Sequence, residues 1–200
     1  MIKWKGAEMG EVVTFGDLIA FSAGTNMTRL SGDISDESIY TLEDFDRDLS
    51  SLNQEYLDVD NFITKGKSVI SVAGDIVISM TRSQAGIVSL ESSGKYLNSN
   101  FVKCEFDRNK LYPWYFCYLL NESGAISQQI KKLQQGTIGC INRLTISMIG
   151  SLEFELEDIS QQRIIGDLYR NMLIRERLTL KQMEDMRKYT LELIKKVDNN

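Results

Sequence analysis

The sequence predicts an α+β fold in which a mixed-sheet domain is followed by one long C-terminal α-helix. Short runs rich in β-branched residues, bounded by Gly and Ser clusters, recur in the first part of the chain, as is typical of strands joined by turns. Towards the C-terminus, apolar residues recur every three or four positions from Ile165 to Val197, which is the period of a helix. The predicted domain covers residues 1–158, and the predicted helix covers residues 159–200.

The strongest strand signal is residues 68–79, which we interpret as two strands around a turn at Gly74 and Asp75. Residues 86–90 predict a further strand. Residues 101–106 alternate apolar with polar side chains, as a half-buried strand does. Two more strands are expected, one within residues 11–19, entering a turn or short helix, and one within residues 145–156.

Three helices are predicted in the second half of the chain. Residues 111–120 are dense in aromatic side chains and predict a buried helix with Pro113 in its first turn. Residues 125–135 predict a second helix that stops at Gly136. The third begins at Ser160, whose hydroxyl is a candidate cap, and runs almost to the C-terminus.

The bulk composition indicates an ordinary single-domain protein. Hydrophobic residues make up 42% of the 200 residues and charged residues 26%, which suits a chain with a sizeable core. The sequence has neither an apolar run near the roughly 20 residues of a membrane span nor the apolar core of a signal peptide. Its three cysteines are odd in number and widely spaced, which indicates free thiols in a reducing compartment. We therefore expect a cytoplasmic protein.

The absence of histidine is the strongest negative in the composition. It excludes Ser-His-Asp and Cys-His nucleophile systems and every His-ligated zinc site. The chain also has no Gly-x-Gly-x-x-Gly fingerprint and no phosphate-binding loop of the Walker type. These absences disfavour a methyltransferase and an ATPase, and no motif in the sequence indicates a bound cofactor.

Charge is unevenly distributed along the chain. The net charge of −5 divides into −9 for residues 1–64, +5 for residues 65–150 and −1 for residues 151–200. A nucleic acid could therefore be held by the middle third. The acidic first third is expected to face solvent or a basic partner.

The order of these segments resembles one half of the DNA-specificity subunit of type I restriction-modification systems. Residues 74–79, Gly-Asp-Ile-Val-Ile-Ser, are similar to the strand opener of its target-recognition domains. Residues 98–102 resemble the strand that follows, and residues 111–120 resemble the aromatic helix. Residues 152–165 resemble the family's strand, turn and Gln-led helix start, although Glu-Asp-Ile at 157–159 replaces the usual prolines.

The resemblance implies a half-sized, non-catalytic form with one target-recognition domain and one helical region. Such a form must pair with a copy of itself or with a paralogue to read a bipartite site. The implied partners are double-stranded DNA, modification methyltransferase subunits that use S-adenosylmethionine, and restriction subunits that use ATP. Whether the chain is a natural half-subunit or an engineered fragment stays open, as does the choice between homodimer and paralogue pairing.

Candidate DNA contacts are polar and basic side chains of loops in the positive middle third. Arg can bridge guanine O6 and N7 and Gln can bridge adenine N6 and N7, whereas Lys suits phosphate. For each residue, the alternative is a solvated surface side chain. The candidates are Lys65, Lys67, Thr81, Arg82, Ser83, Gln84, Lys95, Lys131, Lys132, Gln134, Gln135, Thr137, Asn142 and Arg143.

The apolar stripe of the C-terminal helix is the candidate dimer interface. Two such helices packed antiparallel would bury their apolar faces and fix the distance between two DNA readers. The alternative is that the stripe packs on its own domain. Its apolar members, interrupted by Glu176, Thr179 and Thr190, are Ile165, Leu168, Met172, Met183, Met186, Leu193 and Val197.

Two other functions stay open. One is a regulatory decoy that occupies methyltransferase subunits without binding DNA. The other is a nuclease that uses the carboxylates of Asp44, Asp46, Asp48 and Glu55, which have the spacing of a calcium-binding loop. Leu49 occupies the position where such a loop requires Gly, so a solvated acidic loop without metal is the favoured interpretation.

Overall fold

The computed structural model describes residues 11–26, 38–49, 70–135 and 144–198. Within them the chain forms eight strands and six helices. The strands are β1 (Glu11–Thr14), β2 (Ala20–Ala23), β3 (Ile39–Tyr40), β4 (Ile76–Ser79), β5 (Gln84–Ile87), β6 (Tyr96–Leu97), β7 (Phe101–Glu105) and β8 (Glu153–Leu156). The helices are α1 (Phe15–Leu18), α2 (Leu42–Leu49), α3 (Pro113–Glu122), α4 (Gly124–Gln135), α5 (Ile146–Gly150) and α6 (Ile159–Asp198).

A four-stranded antiparallel sheet in the order β2-β7-β4-β5 forms the centre of the domain. Two smaller pairs flank it, antiparallel β1-β8 and parallel β3-β6. The sheet is covered on both sides. Ile76 and Ile78 of β4 belong to the main core with Phe116 of α3, whereas Val77 packs in a second cluster with Phe45 of α2.

Several predicted elements are confirmed. The strand-to-helix transition within residues 11–19 is β1 followed by α1, and α3 starts with Pro113 in its first turn. The helix predicted at residues 125–135 is α4, which begins one residue earlier. The strand predicted at residues 86–90 is β5, which begins and ends earlier in the chain, at Gln84 and Ile87.

Two strand predictions were wrong in part. In the described part of residues 68–79, Ile70 makes only an isolated bridge to Tyr96, and a turn follows before β4 starts. β7 is not half-buried, because α2 covers the face of the sheet that the alternation would expose to solvent. Its Lys103 is buried and pairs with Asp75 at 2.7 Å. Burial of Asp75 outweighs that pairing and raises the pKa of its carboxyl.

The strand predicted within residues 145–156 is confirmed as β8, but the approach to the long helix differs from the prediction in two other respects. Residues 145–156 hold the short helix α5 before β8, with the Thr145 hydroxyl accepting from the Met148 N–H. The cap of α6 is Asp158 and not Ser160. Its Oδ1 accepts the N–H groups of Ser160 at 2.9 Å and Gln161 at 3.2 Å, and the hydroxyl of Ser160 also donates to it. These hydrogen bonds, that of the Ser160 hydroxyl first, lower the pKa of Asp158.

The first turns of α6 cross α3 at close range around Gln162 and Gly166. The buried Gln162 amide donates to the carbonyls of Lys110 at 2.9 Å and Glu157 at 2.8 Å, and accepts the N–H of Tyr112 at 2.8 Å. A Cβ at Gly166 would lie 2.8 Å from the backbone nitrogen of Tyr115. Only a residue without a side chain allows this approach.

Beyond this crossing α6 leaves the domain. Every residue from 175 to 198 is exposed, and at ~1.5 Å per residue this distal part extends about 36 Å. Gln162, Gly166, Tyr169 and Leu173 form the face that packs on the domain. Nowhere in the described ranges does a helix combine the length and the apolar character required to cross a membrane.

Replacing Gly166 with Ala should lower the free energy of unfolding by about 1–3 kcal/mol, because a backbone atom of α3 must shift to admit the methyl group. Gly124→Ala is the matched control, since a Cβ there would meet nothing within 4 Å. Urea unfolding of both variants checks the prediction. Equal stability of the two would show that the crossing is looser than described.

Candidate nucleic-acid interface

The tip of the β4–β5 hairpin presents two of the predicted contact residues to solvent. Ser79 pairs with Gln84 across the hairpin, and its carbonyl accepts the N–H of Ser83 at 2.8 Å. The Ser79 hydroxyl also accepts the N–H of Arg82 at 3.2 Å. Ser83 adopts φ 55°, a left-handed conformation that tightens the turn. Thr81 and Arg82 are exposed as a result, whereas Ser83 and Gln84 are half-buried.

The Arg82 guanidinium forms an ion pair with Asp46 of α2. Its terminal nitrogen Nη2 lies 2.8 Å from Asp46 Oδ2, and both side chains are about half exposed, at 49% and 50%. Exposed ion pairs contribute less than about 1 kcal/mol, so a competing ligand can displace or share such a partner. The ion pair therefore favours one direction of the Arg82 side chain at the surface without locking it there.

Lys95, predicted to contact phosphate, is instead held inward by Asp44 of α2. Its Nζ lies 2.8 Å from Asp44 Oδ1, and its side chain is only 22% exposed. The N–H and hydroxyl of Thr41 donate to Asp44 Oδ2, each at 3.0 Å. Burial favours the neutral acid, but the hydrogen bonds from Lys95 and Thr41 outweigh it and lower the pKa of Asp44. The phosphate role of Lys95 stays a prediction.

Asp48, the third aspartate of α2, is fully buried. The Tyr40 hydroxyl donates to its Oδ2 at 2.6 Å, and the Ser92 hydroxyl donates to its Oδ1 at 2.8 Å. Burial first, and then the charge of Asp48, raises the pKa of Tyr40 well above its usual range. Asp48 thus ties α2 to the loop between β5 and β6.

These contacts involve three of the acidic residues in the first third of the chain, and they replace both the calcium-loop interpretation and that of a solvated acidic loop. Asp44, Asp46 and Asp48 lie on a helix, where alternate residues point in different directions, and not in a loop. Glu55 lies outside the described residues. In the part of the chain that is described, no three Cys, Asp or Glu side chains are placed to hold a metal ion.

The second predicted DNA surface is only partly described. Lys131 and Lys132 are exposed on α4, which packs against α3, α5 and β8, and Gln134 is half-buried there. Gln135 is the last residue of α4. The remaining candidates, Lys65, Lys67, Thr137, Asn142 and Arg143, lie outside the described residues.

The predicted dimer stripe is exposed along most of its length. Only Ile165 packs against the main core of its own domain. The distal helix adds five exposed apolar residues that the stripe did not include: Leu178, Leu180, Tyr189, Leu191 and Ile194. The stripe members that are exposed are Leu168, Met172, Met183, Met186, Leu193 and Val197.

The fold of this chain is similar to those of solved structures of known proteins. No protein-family profile and no curated protein matches the sequence. An HsdS subunit from Thermoanaerobacter tengcongensis superimposes with a TM-score of 0.53 at 12% identity, over 90% of this chain and 42% of the other. The S subunit of a type I restriction-modification system from M. genitalium superimposes with a TM-score of 0.50 at 13% identity, over 90% of this chain and 44% of the other.

A third similar structure comes from work on complex assembly and conformational transition of the type I restriction-modification system. Its TM-score is 0.58 at 13% identity, over 96% of this chain and 45% of the other. The predicted resemblance to type I S subunits and the α+β fold with a long C-terminal helix are confirmed at the level of fold. The chain spans less than half the length of each of these structures.

Replacing Lys95 with Met should lower the free energy of unfolding by about 1–3 kcal/mol at pH 7, because Asp44 stays buried with one donor fewer. The pairing lowers the pKa of Asp44 in the folded state below its value near 3.9 in the unfolded chain. Its stabilisation is therefore present above about pH 4 and lost as pH falls through the folded-state pKa. The difference in free energy of unfolding between wild type and Lys95→Met should therefore become smaller as the pH falls below about 4.

Lys131→Met, on the exposed surface of α4, is the matched control for this experiment and should change stability by less than about 0.5 kcal/mol. Denaturant unfolding from about pH 3 to about pH 7, a range that spans the carboxyl pKa, provides the measurement. A Lys95→Met protein as stable as the control at neutral pH would leave Lys95 available for phosphate.

Proposed function

We propose that this chain is a sequence-specific DNA-recognition subunit of a type I restriction-modification methyltransferase and endonuclease, in a half-sized form. The observation that carries the proposal is a fold shared with S subunits over 90–96% of this chain and 42–45% of theirs. In this proposal residues 1–158 are the target-recognition domain and residues 159–200 the spacer helix. The chain is non-catalytic, binds no cofactor and acts in the cytoplasm.

The distal part of α6 supports pairing with a second copy or a paralogue. Its exposed apolar residues continue well beyond the face that packs on the domain. A second α6 packed antiparallel would cover them and relate two recognition domains by a two-fold axis. Two identical half-sites in inverted orientation would then be read.

The hairpin tip supports DNA reading by the domain. Arg82 stands on a tight turn, at the surface, with a guanidinium that suits the O6 and N7 atoms of guanine. Thr81, Lys131 and Lys132 are exposed as well and would contact bases or phosphates. The modification and restriction subunits would supply the chemistry on the bound DNA.

The DNA-reading proposal predicts that Arg82→Ala loses about 1–3 kcal/mol of binding free energy on the preferred duplex and relaxes one base position. Selection from a random duplex library by the full-length chain, alone and with the modification subunit, measures this. Arg177→Ala removes the same charge from the exposed part of α6 and should leave the base preference unchanged. Loss of affinity on every sequence alike would make Arg82 a phosphate contact, and no loss would contradict its role.

The pairing proposal predicts that Met186→Glu raises the dimer dissociation constant at least about tenfold, because a carboxylate would be buried between apolar side chains. Lys188→Gln changes the net charge by the same amount two positions along, on nearly the opposite side of the helix, and should have little effect. Analytical ultracentrifugation distinguishes them. A wild-type chain that is monomeric at micromolar concentration would contradict self-pairing.

A further inference from the structure

We infer that Asp46 is a positioning residue that orients Arg82 for bidentate recognition of guanine. The inference rests on the proposed function and deepens it. Guanine is assigned as the base that Arg82 contacts, and Asp46 as the residue that aligns the Arg82 side chain. The observation behind it is the ion pair of 2.8 Å between Arg82 Nη2 and Asp46 Oδ2, which joins the hairpin tip to α2.

Asp46 stands on a firmly anchored helix. Its neighbour Phe45 is fully buried in the second core cluster, so near to β5 that a Cβ at Gly86 would lie 3.0 Å from the Phe45 ring. The carboxylates of Asp44 and Asp48 are buried and hydrogen-bonded on either side of it. The position of the α2 backbone at Asp46 is therefore set by the core.

Arg82 is held from the other end by its own turn. The buried Ser79 hydroxyl accepts its backbone N–H, and the left-handed Ser83 closes the turn behind it. With the Arg82 backbone set by the turn and one terminal nitrogen paired with Asp46, the guanidinium loses less rotamer freedom on binding than an unpaired one. Asp46 occupies one terminal nitrogen of a group that has five N–H donors, so the planar fork can still present two donors to a base edge.

The charge of Asp46 favours a base over a phosphate as the ligand of Arg82. A half-exposed carboxylate beside the contact repels the DNA backbone and offsets the charge of a phosphate-binding arginine. The same carboxylate does not disfavour guanine, which presents two neutral acceptors in the major groove. An arginine that only neutralised phosphate would gain nothing from this neighbour.

The test compares Asp46→Asn, Asp46→Glu and the control Glu43→Gln in the full-length chain, alone and with the modification subunit. Glu43 is exposed on the same helix, so its replacement removes one negative charge without touching Arg82. Duplexes selected from a random library by wild type are assayed with guanine and with each other base at the position that Arg82→Ala relaxes. Thermal unfolding is measured in parallel.

Wild type and Glu43→Gln are expected to prefer guanine there by about 5- to 150-fold. Asp46→Asn should reduce that preference at least about threefold at this position alone, with unchanged thermal stability and equal or tighter binding to non-cognate duplex. Asp46→Glu should restore most of the preference.

Tighter binding of Asp46→Asn to every duplex, with the guanine preference intact, would overturn the inference and leave Asp46 as a repulsive surface charge. It would leave the proposed function standing. A wild-type protein without any sequence preference would instead overturn the proposed function, and this inference with it.

Discussion

The crossing of α3 and α6 is the constraint on which both parts of the molecule depend. Gln162 satisfies three backbone groups from the turns that precede the two helices, and Gly166 lets the helix backbones approach. Loss of the buried amide would leave several polar groups unpaired, each costing about 1–3 kcal/mol. Because α6 is continuous through residue 198, this contact also sets the direction in which its distal part leaves the domain. In a pair of such chains, it would set the separation of the two hairpin tips.

A second set of contacts joins the two charge blocks of the sequence. Asp44, Asp46 and Asp48 of α2 reach Lys95, Arg82 and Ser92 in the middle third of the chain. The two buried carboxylates stabilise the loop between β5 and β6, whereas the exposed one holds an arginine at the surface. The acidic first third therefore does not exclude DNA binding, because part of its charge is paired within the domain and Asp46 can direct the cation of Arg82 outward.

Elements that depend on interactions between neighbouring residues could be predicted from the sequence. Contacts between residues far apart along the chain could not. The aromatic run with Pro113 predicts α3 because proline suits a first helical turn and large side chains need burial. The cap of α6 was predicted two residues too late, because Asp158 already accepts the N–H groups of Ser160 and Gln161 in the first helical turn. The alternation of β7 predicted a half-buried strand, but α2, more than 50 residues away along the chain, covers its second face. The Lys95–Asp44 pair is equally remote, with 51 positions between its members. The Arg82–Asp46 pair spans 36 positions, and no spacing rule predicts it.

The most direct test of the central claim, that this chain is half of a bipartite DNA reader, is a map of methylated adenines in cells. The chain would be co-expressed with a type I modification subunit, in a host whose DNA lacks the corresponding methylation. The account predicts a new split motif whose two halves are identical and inverted, or non-identical if a paralogue supplies the second half. No new methylation, with the modification subunit shown to be active alongside its normal specificity subunit, would contradict it.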